Sequence, residues 1–146
     1  MKILLICGSE YGVGTFVRAR EFARSLSCKG HQVALGYLGE KLFTATYETN
    51  QDVLEIGLPS FLNRFNLDHM ASPIAVHVIK KIIKEMSFDI VHGFEHFPVV
   101  HKAGLLSRKY NNSIYVTDWA DWFSVASNRF FFRIPGARRY LQWLEQ

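Results

Sequence analysis

The chain reads as an α/β domain: a doubly wound, mostly parallel Rossmann-like sheet with helices on both faces. Three observations predict this. A short apolar run, Ile3–Cys7, flows into a glycine-rich loop and then into a helical pattern. Strand-like and helix-like segments alternate from there to Thr117, which is the pattern of parallel βαβ units. The length of 146 residues, 49% of them hydrophobic, suits one domain with a sizeable core and argues against disorder.

Ile3–Cys7 has no polar alternation, as expected of a strand covered on both faces. Thr15–Ser27 is helical: Phe16, Ala19, Phe22, Ala23 and Leu26 recur on one face, with Arg18, Glu21 and Arg24 pointing away. Gly30 stops that helix. His31–Tyr37 is the second strand, which completes β–α–β. Gly39–Asn50 is polar and irregular, and a loop or short helix is expected there. Val53–Ile56 is a weak third strand, and Leu58–Asn66 is loop-like around Pro59. Pro73–Met86 is a helix with proline at a first helical position. Ile74, Val78, Ile82 and Met86 lie four apart on it, with Lys80, Lys81, Lys84 and Glu85 outside. Asp89–Gly93 is the fourth strand, Pro98–Tyr110 a helix, Asn111-Asn112 a turn and Ser113–Thr117 the fifth strand. Trp119–Phe132 is aromatic and fits neither period, while Ala137–Glu145 is helical with Tyr140, Leu141 and Leu144 on one side.

A net charge of +4 is too modest to argue for nucleic acid. Its distribution says more: four arginines (Arg129, Arg133, Arg138, Arg139) and no acid lie between Asn128 and Leu144. With Phe130-Phe131-Phe132 among them, the Phe130–Arg133 region is a candidate for peripheral contact with an anionic membrane face. A helix with its phenylalanines packed inside accounts for the same residues. Cys7 and Cys28 suit buried packing in a reducing compartment better than a disulfide framework or a metal site. The first apolar run is too short for a signal peptide, and no run approaches the roughly 18–20 residues of a spanning helix. The expectation is a cytoplasmic domain.

In a doubly wound sheet, ligands bind outside the carboxyl ends of the strands. Three segments converge there: Gly8–Gly14, His92–Phe97 and Asp118–Phe123. In the first, Gly12, Val13, Gly14 and Thr15 open a helix, whose N-terminal amides favour a phosphate; the alternative is a tight packing turn. In the second, His92, Glu95 and His96 follow the fourth strand, where they can bond a sugar hydroxyl or move a proton; the alternative is a solvated loop. The two histidines lack the further ligands that a zinc site needs. In the third, Asp118 and Asp121 can orient a hydroxyl or act as a base, and Trp119 and Trp122 can stack on a sugar ring. The alternative is a helix cap beside core tryptophans.

Several short stretches carry a resemblance: Tyr11-Gly12-Val13-Gly14 followed by Arg20-Glu21-Phe22-Ala23-Arg24-Ser25-Leu26, Gly30-His31-Gln32-Val33 at the second strand, Asp89-Ile90-Val91-His92 at the fourth, and Ile114-Tyr115-Val116-Thr117-Asp118 at the fifth. In order and spacing they resemble the N-terminal, acceptor-side domain of GT-B glycosyltransferases of the group 1, family-four type. The resemblance spans nearly the whole chain. It implies two Rossmann-like domains around a cleft, with an acceptor (a saccharide or lipid-linked sugar) bound by this one. It also implies a nucleotide-sugar donor held mainly by a second domain carrying an E-x7-E motif. The donor is a substrate, so no cofactor or metal is implied. Gly12 and Gly14 would approach the donor phosphate, and Asp118, His96 and Asp121 would meet the transferred sugar or acceptor. The family's frequent histidine after the fifth strand is replaced here by Asp118. In retaining members the donor's own phosphate oxygen is thought to act as base, so neither aspartate is required to. The chain ends at Gln146, before a second domain could start, and by itself is expected to be inactive.

Two other classes fit parts of the chain. The glycine loop is also similar to that of short-chain NAD(P)-dependent oxidoreductases. Their Tyr-x-x-x-Lys, however, is matched only by Tyr37 to Lys41, right after the second strand, where it cannot act. A non-catalytic binding domain, or a fragment, would retain the sheet without the chemistry.

Overall fold

The structure, a computed structural model, describes residues 1–61, 72–95 and 97–118. The opening apolar run becomes β1 (Lys2–Glu10), longer than the run itself and buried from Ile3 to Gly8. Helix α1 (Gly14–Cys28) follows, then β2 (Gln32–Leu38), β3 (Thr46–Asn50), β4 (Val53–Leu58), α2 (Pro73–Met86), β5 (Ile90–Phe94), α3 (Pro98–Asn111) and β6 (Ile114–Asp118). One six-stranded sheet has the order β3-β4-β2-β1-β5-β6. All neighbours are parallel except β3 and β4.

This order places the functional edge. From β1 the chain moves outward to β2 and β4, then returns through α2 to β5 on the other side of β1. The direction of winding therefore reverses between β1 and β5. The crevice beyond their carboxyl ends is the topological switch point, where side chains from both halves converge.

The two sheet faces are covered unequally. Ile3, Leu5 and Cys7 of β1 pack with Val33, Leu35, Tyr37, Val53 and Phe94 under Phe16, Ala19 and Ala23 of α1. The alternate residues Leu4 and Ile6 face Ile79, Ile82 and Ile83 of α2 and Val99, Val100 and Ala103 of α3. The period-two split along one apolar run explains why it reads as continuous: each side chain has a helix to meet. The helices start and stop on local signals. Ser72 caps α2 by accepting from the Ala75 amide, proline follows at the first helical position, and Ser87 and Asn112 end α2 and α3 in the left-handed region.

Three expectations are corrected. Gly39–Asn50 is neither all loop nor a short helix, because its last five residues form the antiparallel edge strand β3. β3 joins β4 through Gln51-Asp52, both at positive φ, as a two-residue hairpin turn of the primed type requires. Phe22, expected on the buried face of α1, is 43% exposed. On α2 the buried set is Ala75, Ile79, Ile82 and Ile83; Ile74, Val78 and Met86 are only partly covered, so the stripe is rotated from the expected one. Of the two cysteines, Cys7 is buried and Cys28 exposed. Trp119–Phe132 and Ala137–Glu145 lie outside the described residues.

Candidate functional site

The loop after β1 is built by close approach and by one sharp turn. A Cβ on Gly8 would overlap the Phe97 ring, so only glycine lets the end of β1 pass the start of α3. Gly12 sits at φ +79, a conformation that glycine adopts without steric cost. The register of β1 against β2 shifts between Ile6 and Glu10, an irregularity of the kind that bends a strand end. The loop then enters α1 at Val13, whose side chain cannot cap the helix, and no acidic residue of the helix itself lies in the first turn. The positive end of α1 is left to be satisfied from elsewhere.

Glu95 does this from the other half of the sheet. It follows β5 directly, with φ +69, and its amide donates to the Asp118 carbonyl at 3.1 Å. That left-handed turn aims the side chain back across the switch point. Its carboxylate accepts from Thr15 Oγ1 at 2.6 Å and from Ser9 Oγ at 3.3 Å. A carboxylate at the first turn of a helix is favoured by the macrodipole. The place where the sequence suggests an anionic ligand thus carries a negative charge of the protein's own.

Asp118 closes the third side of the mouth. Arg18, four residues into α1 from Gly14, reaches its Oδ2 with Nη2 at 2.9 Å. The same guanidinium lies 5.4 Å from the centroid of Phe94. Both partners are substantially exposed, so this pair adds little stability and remains accessible to a ligand.

His92 is placed differently from Asp118. It points to the α1 face of β5, stacked on Phe94 with centroids 4.5 Å apart and met edge-on by Phe22 at 5.4 Å. Its Nε2 is buried and has no hydrogen-bond partner among the described residues. Burial foremost holds the imidazole below its ordinary pKa, with Arg18 acting in the same direction and Asp118 opposing. His92 therefore sits behind the mouth. His96, Asp121, Trp119 and Trp122 lie outside the described residues. Cys7, beneath the loop, is pushed by burial up to about 12, which makes it a packing residue and not a nucleophile at neutral pH.

Beside the loop, Glu10, Tyr11, Leu38, Gly39, Glu40, Leu42 and Ser60 line a cavity of about 280 Å³ at the carboxyl end of β2. Tyr11 is held there by Arg20. The guanidinium donates through Nε to buried Glu55 at 2.7 Å and through Nη1 to the Tyr11 hydroxyl at 3.3 Å. Tyr11 also packs on Phe16 and Tyr37, with centroids 4.7 and 5.9 Å away. Burial opposes the charge on Arg20, but Glu55 and Tyr11 more than offset it, so its pKa is held above the ordinary value. Sequence reasoning missed this brace and missed Ser9 and Arg18. A signal for the brace was present: Glu55 is the one charged residue in the apolar run Val53–Leu58, and such a residue needs a cation. Ser9 and Arg18 carried none, since each depends on how β1, α1, β5 and β6 converge.

No protein-family model and no curated protein matches the chain. Among solved structures, the chain is similar to the sucrose-phosphate synthase of Thermosynechococcus elongatus, with a TM-score of 0.65 and 16% identity over 97% of this chain. It spans 39% of the length of that protein. It is also similar to the C-terminal domain (residues 78–226) of the PF1911 hydrogenase from Pyrococcus furiosus, with a TM-score of 0.50 and 14% identity, covering 80% of this chain and 89% of that one. The first likeness shows the fold: an α/β sheet matching a Rossmann-like half of a GT-B architecture.

Proposed function

We propose that this chain is the acceptor-side domain of a two-domain GT-B glycosyltransferase, which moves a sugar from a nucleotide-sugar donor to a saccharide or lipid-linked acceptor. The observation that carries this reading is the convergence of Ser9, Thr15, Glu95, Arg18 and Asp118 on the switch point of a sheet with that topology. Hydroxyl and carboxylate groups in one accessible mouth suit a polyhydroxylated ligand, because each carboxylate oxygen can accept from a sugar hydroxyl. In this reading the backbone of Gly12, Val13 and Gly14 faces the donor phosphate, while Glu95 and Asp118 orient hydroxyls. His96, Asp121, Trp119 and Trp122 complete the acceptor side, and His92 supports the wall from behind.

The test is nucleotide release by the longest natural gene product against a panel of UDP-, GDP- and ADP-sugars. Sugar-dependent release, lowered at least tenfold by Asp118→Ala without loss of folded structure, supports the transferase and its mouth. Absence of release with every donor moves the weight to a binding domain.

A further inference from the structure

Among the described residues, net positive charge is concentrated on the layer of α2 and α3, away from the mouth. Helices α2 and α3 carry six lysines and arginines and a single acid, Glu85. Among the described residues the one ion pair here is Lys81 with Glu85, at 3.9 Å and largely exposed. Three further lysines crowd a single phenol: the Nζ atoms of Lys84, Lys80 and Lys109 lie 4.6, 5.8 and 5.8 Å from the centroid of Tyr110. Arg108 is next to them on α3, and Leu105, 40% exposed, lies one turn before Lys109 on the same side. The Asn111 side chain donates to the Ile83 carbonyl at 2.9 Å and ties the two helix ends together, so the cluster rests on a fixed base. Both helices end where β5 and β6 begin, at the sheet edge opposite Glu95 and Asp118.

Three ammonium groups around one ring repel one another, and the ring's negative face offsets only part of that. Among the described residues no carboxylate forms an ion pair with Lys80, Lys84 or Lys109, so this face presents net positive charge to whatever approaches it. The geometry argues against a single bound phosphate: the helix ends here present carbonyls, the negative pole of the macrodipole. The positive charge sits instead on long flexible stems, mixed with an amphipathic phenol and an exposed leucine. That composition fits an extended anionic surface with an apolar interior just below it. Among the described residues this face carries the single aromatic ring of Tyr110 between its lysines, where a single-stranded nucleic acid is tracked by a row of them.

We propose that the Lys80, Lys84, Arg108, Lys109 and Tyr110 face docks this domain on a membrane surface rich in anionic lipid, leaving the mouth at the opposite edge uncovered. The proposal stands independently of the transferase reading. Its test is co-sedimentation of the full chain with vesicles of phosphatidylcholine alone and of phosphatidylcholine with phosphatidylglycerol in equal parts. Binding is expected only to the second kind, and salt should release it. At about fivefold per basic side chain near the surface, neutralising three lysines weakens binding on the order of 100-fold, and the charge-reversing triple variant K80E/K84E/K109E should lose at least that much. Tyr110→Ala, with all charges kept, should bind several-fold more weakly. The control K29E/K41E, which changes net charge away from this face, should bind as the wild type does. The proposal is overturned by a wild type that ignores anionic vesicles, by a triple variant that still binds them, by a control that loses as much as the triple variant, or by tighter binding to single-stranded RNA than to vesicles.

Discussion

Replacing Glu95 by glycine sets two opposing terms against each other. The native residue holds a left-handed backbone at φ +69, which costs a non-glycine residue about 1–2 kcal/mol that glycine would recover. Against this, the carboxylate accepts a 2.6 Å bond from Thr15 and a longer one, 3.3 Å, from Ser9. The short charge-assisted bond contributes about 1.5–3 kcal/mol and the long, partly exposed one a few tenths. Its place at the start of α1 adds about 0.3–1 kcal/mol. The loss therefore exceeds the gain by about 1–2 kcal/mol, which for a chain of this size lowers Tm by roughly 3–6 °C. Thermal melts followed by far-UV circular dichroism read this directly. Adding Thr15→Val to the glycine variant should lower Tm little further, because the partner is already gone. A glycine variant that melts at or above the wild-type temperature would refute the reasoning: the turn would then be only a strained connection, and the carboxylate would hold nothing.

Other outcomes follow from the same geometry. Burial holds His92 below its ordinary pKa, so on acidification the unfolded chain takes up that proton first. Its contribution to stability is full above a pH of about 6.5 and falls below it, with a slope of at most about 1.4 kcal/mol per pH unit. In His92→Phe that component vanishes, and identical pH profiles of the urea midpoint in the two proteins would count against it. Glu55→Ala strands a guanidinium whose side chain is 17% exposed, so a loss of about 3 kcal/mol is expected, at the low end for a broken buried pair. The double change of Arg20 and Glu55 to leucine should recover most of this in urea unfolding. Gly8→Ala forces a methyl into Phe97 and should cost about 1–3 kcal/mol, whereas Gly14→Ala meets no neighbour and should be neutral or stabilising by up to about 1 kcal/mol. Equal melting temperatures for these two variants would show that the glycines have interchangeable roles.

Much of the fold was legible because it rests on local signals. Pro73 and Met86 bound α2 as read, since proline at a first turn and an apolar stripe act within a few residues. β3 escaped because both of its faces are largely exposed, which leaves no alternation to see, and because its turn is made by Gln51-Asp52 and not by a glycine pair. The candidate site was legible as three segments but not as bonds. Glu95 was named beside His92 as an equal neighbour, yet the left-handed turn sends one across the mouth while strand pleating sends the other under Phe22.

The sequence by itself determined the alternation of strands and helices, the glycine loop at the head of α1 and the stretches that meet at the carboxyl edge. Those depend on period and turn chemistry, which act over a few residues. Only the tertiary structure decided that Glu95 reaches Thr15 across 80 positions of chain and that Arg18 meets Asp118. It alone also decided that three lysines share one tyrosine at the far edge. Such pairings follow from strand order and helix placement, and these are settled by burial of the whole sheet and not by any segment of it.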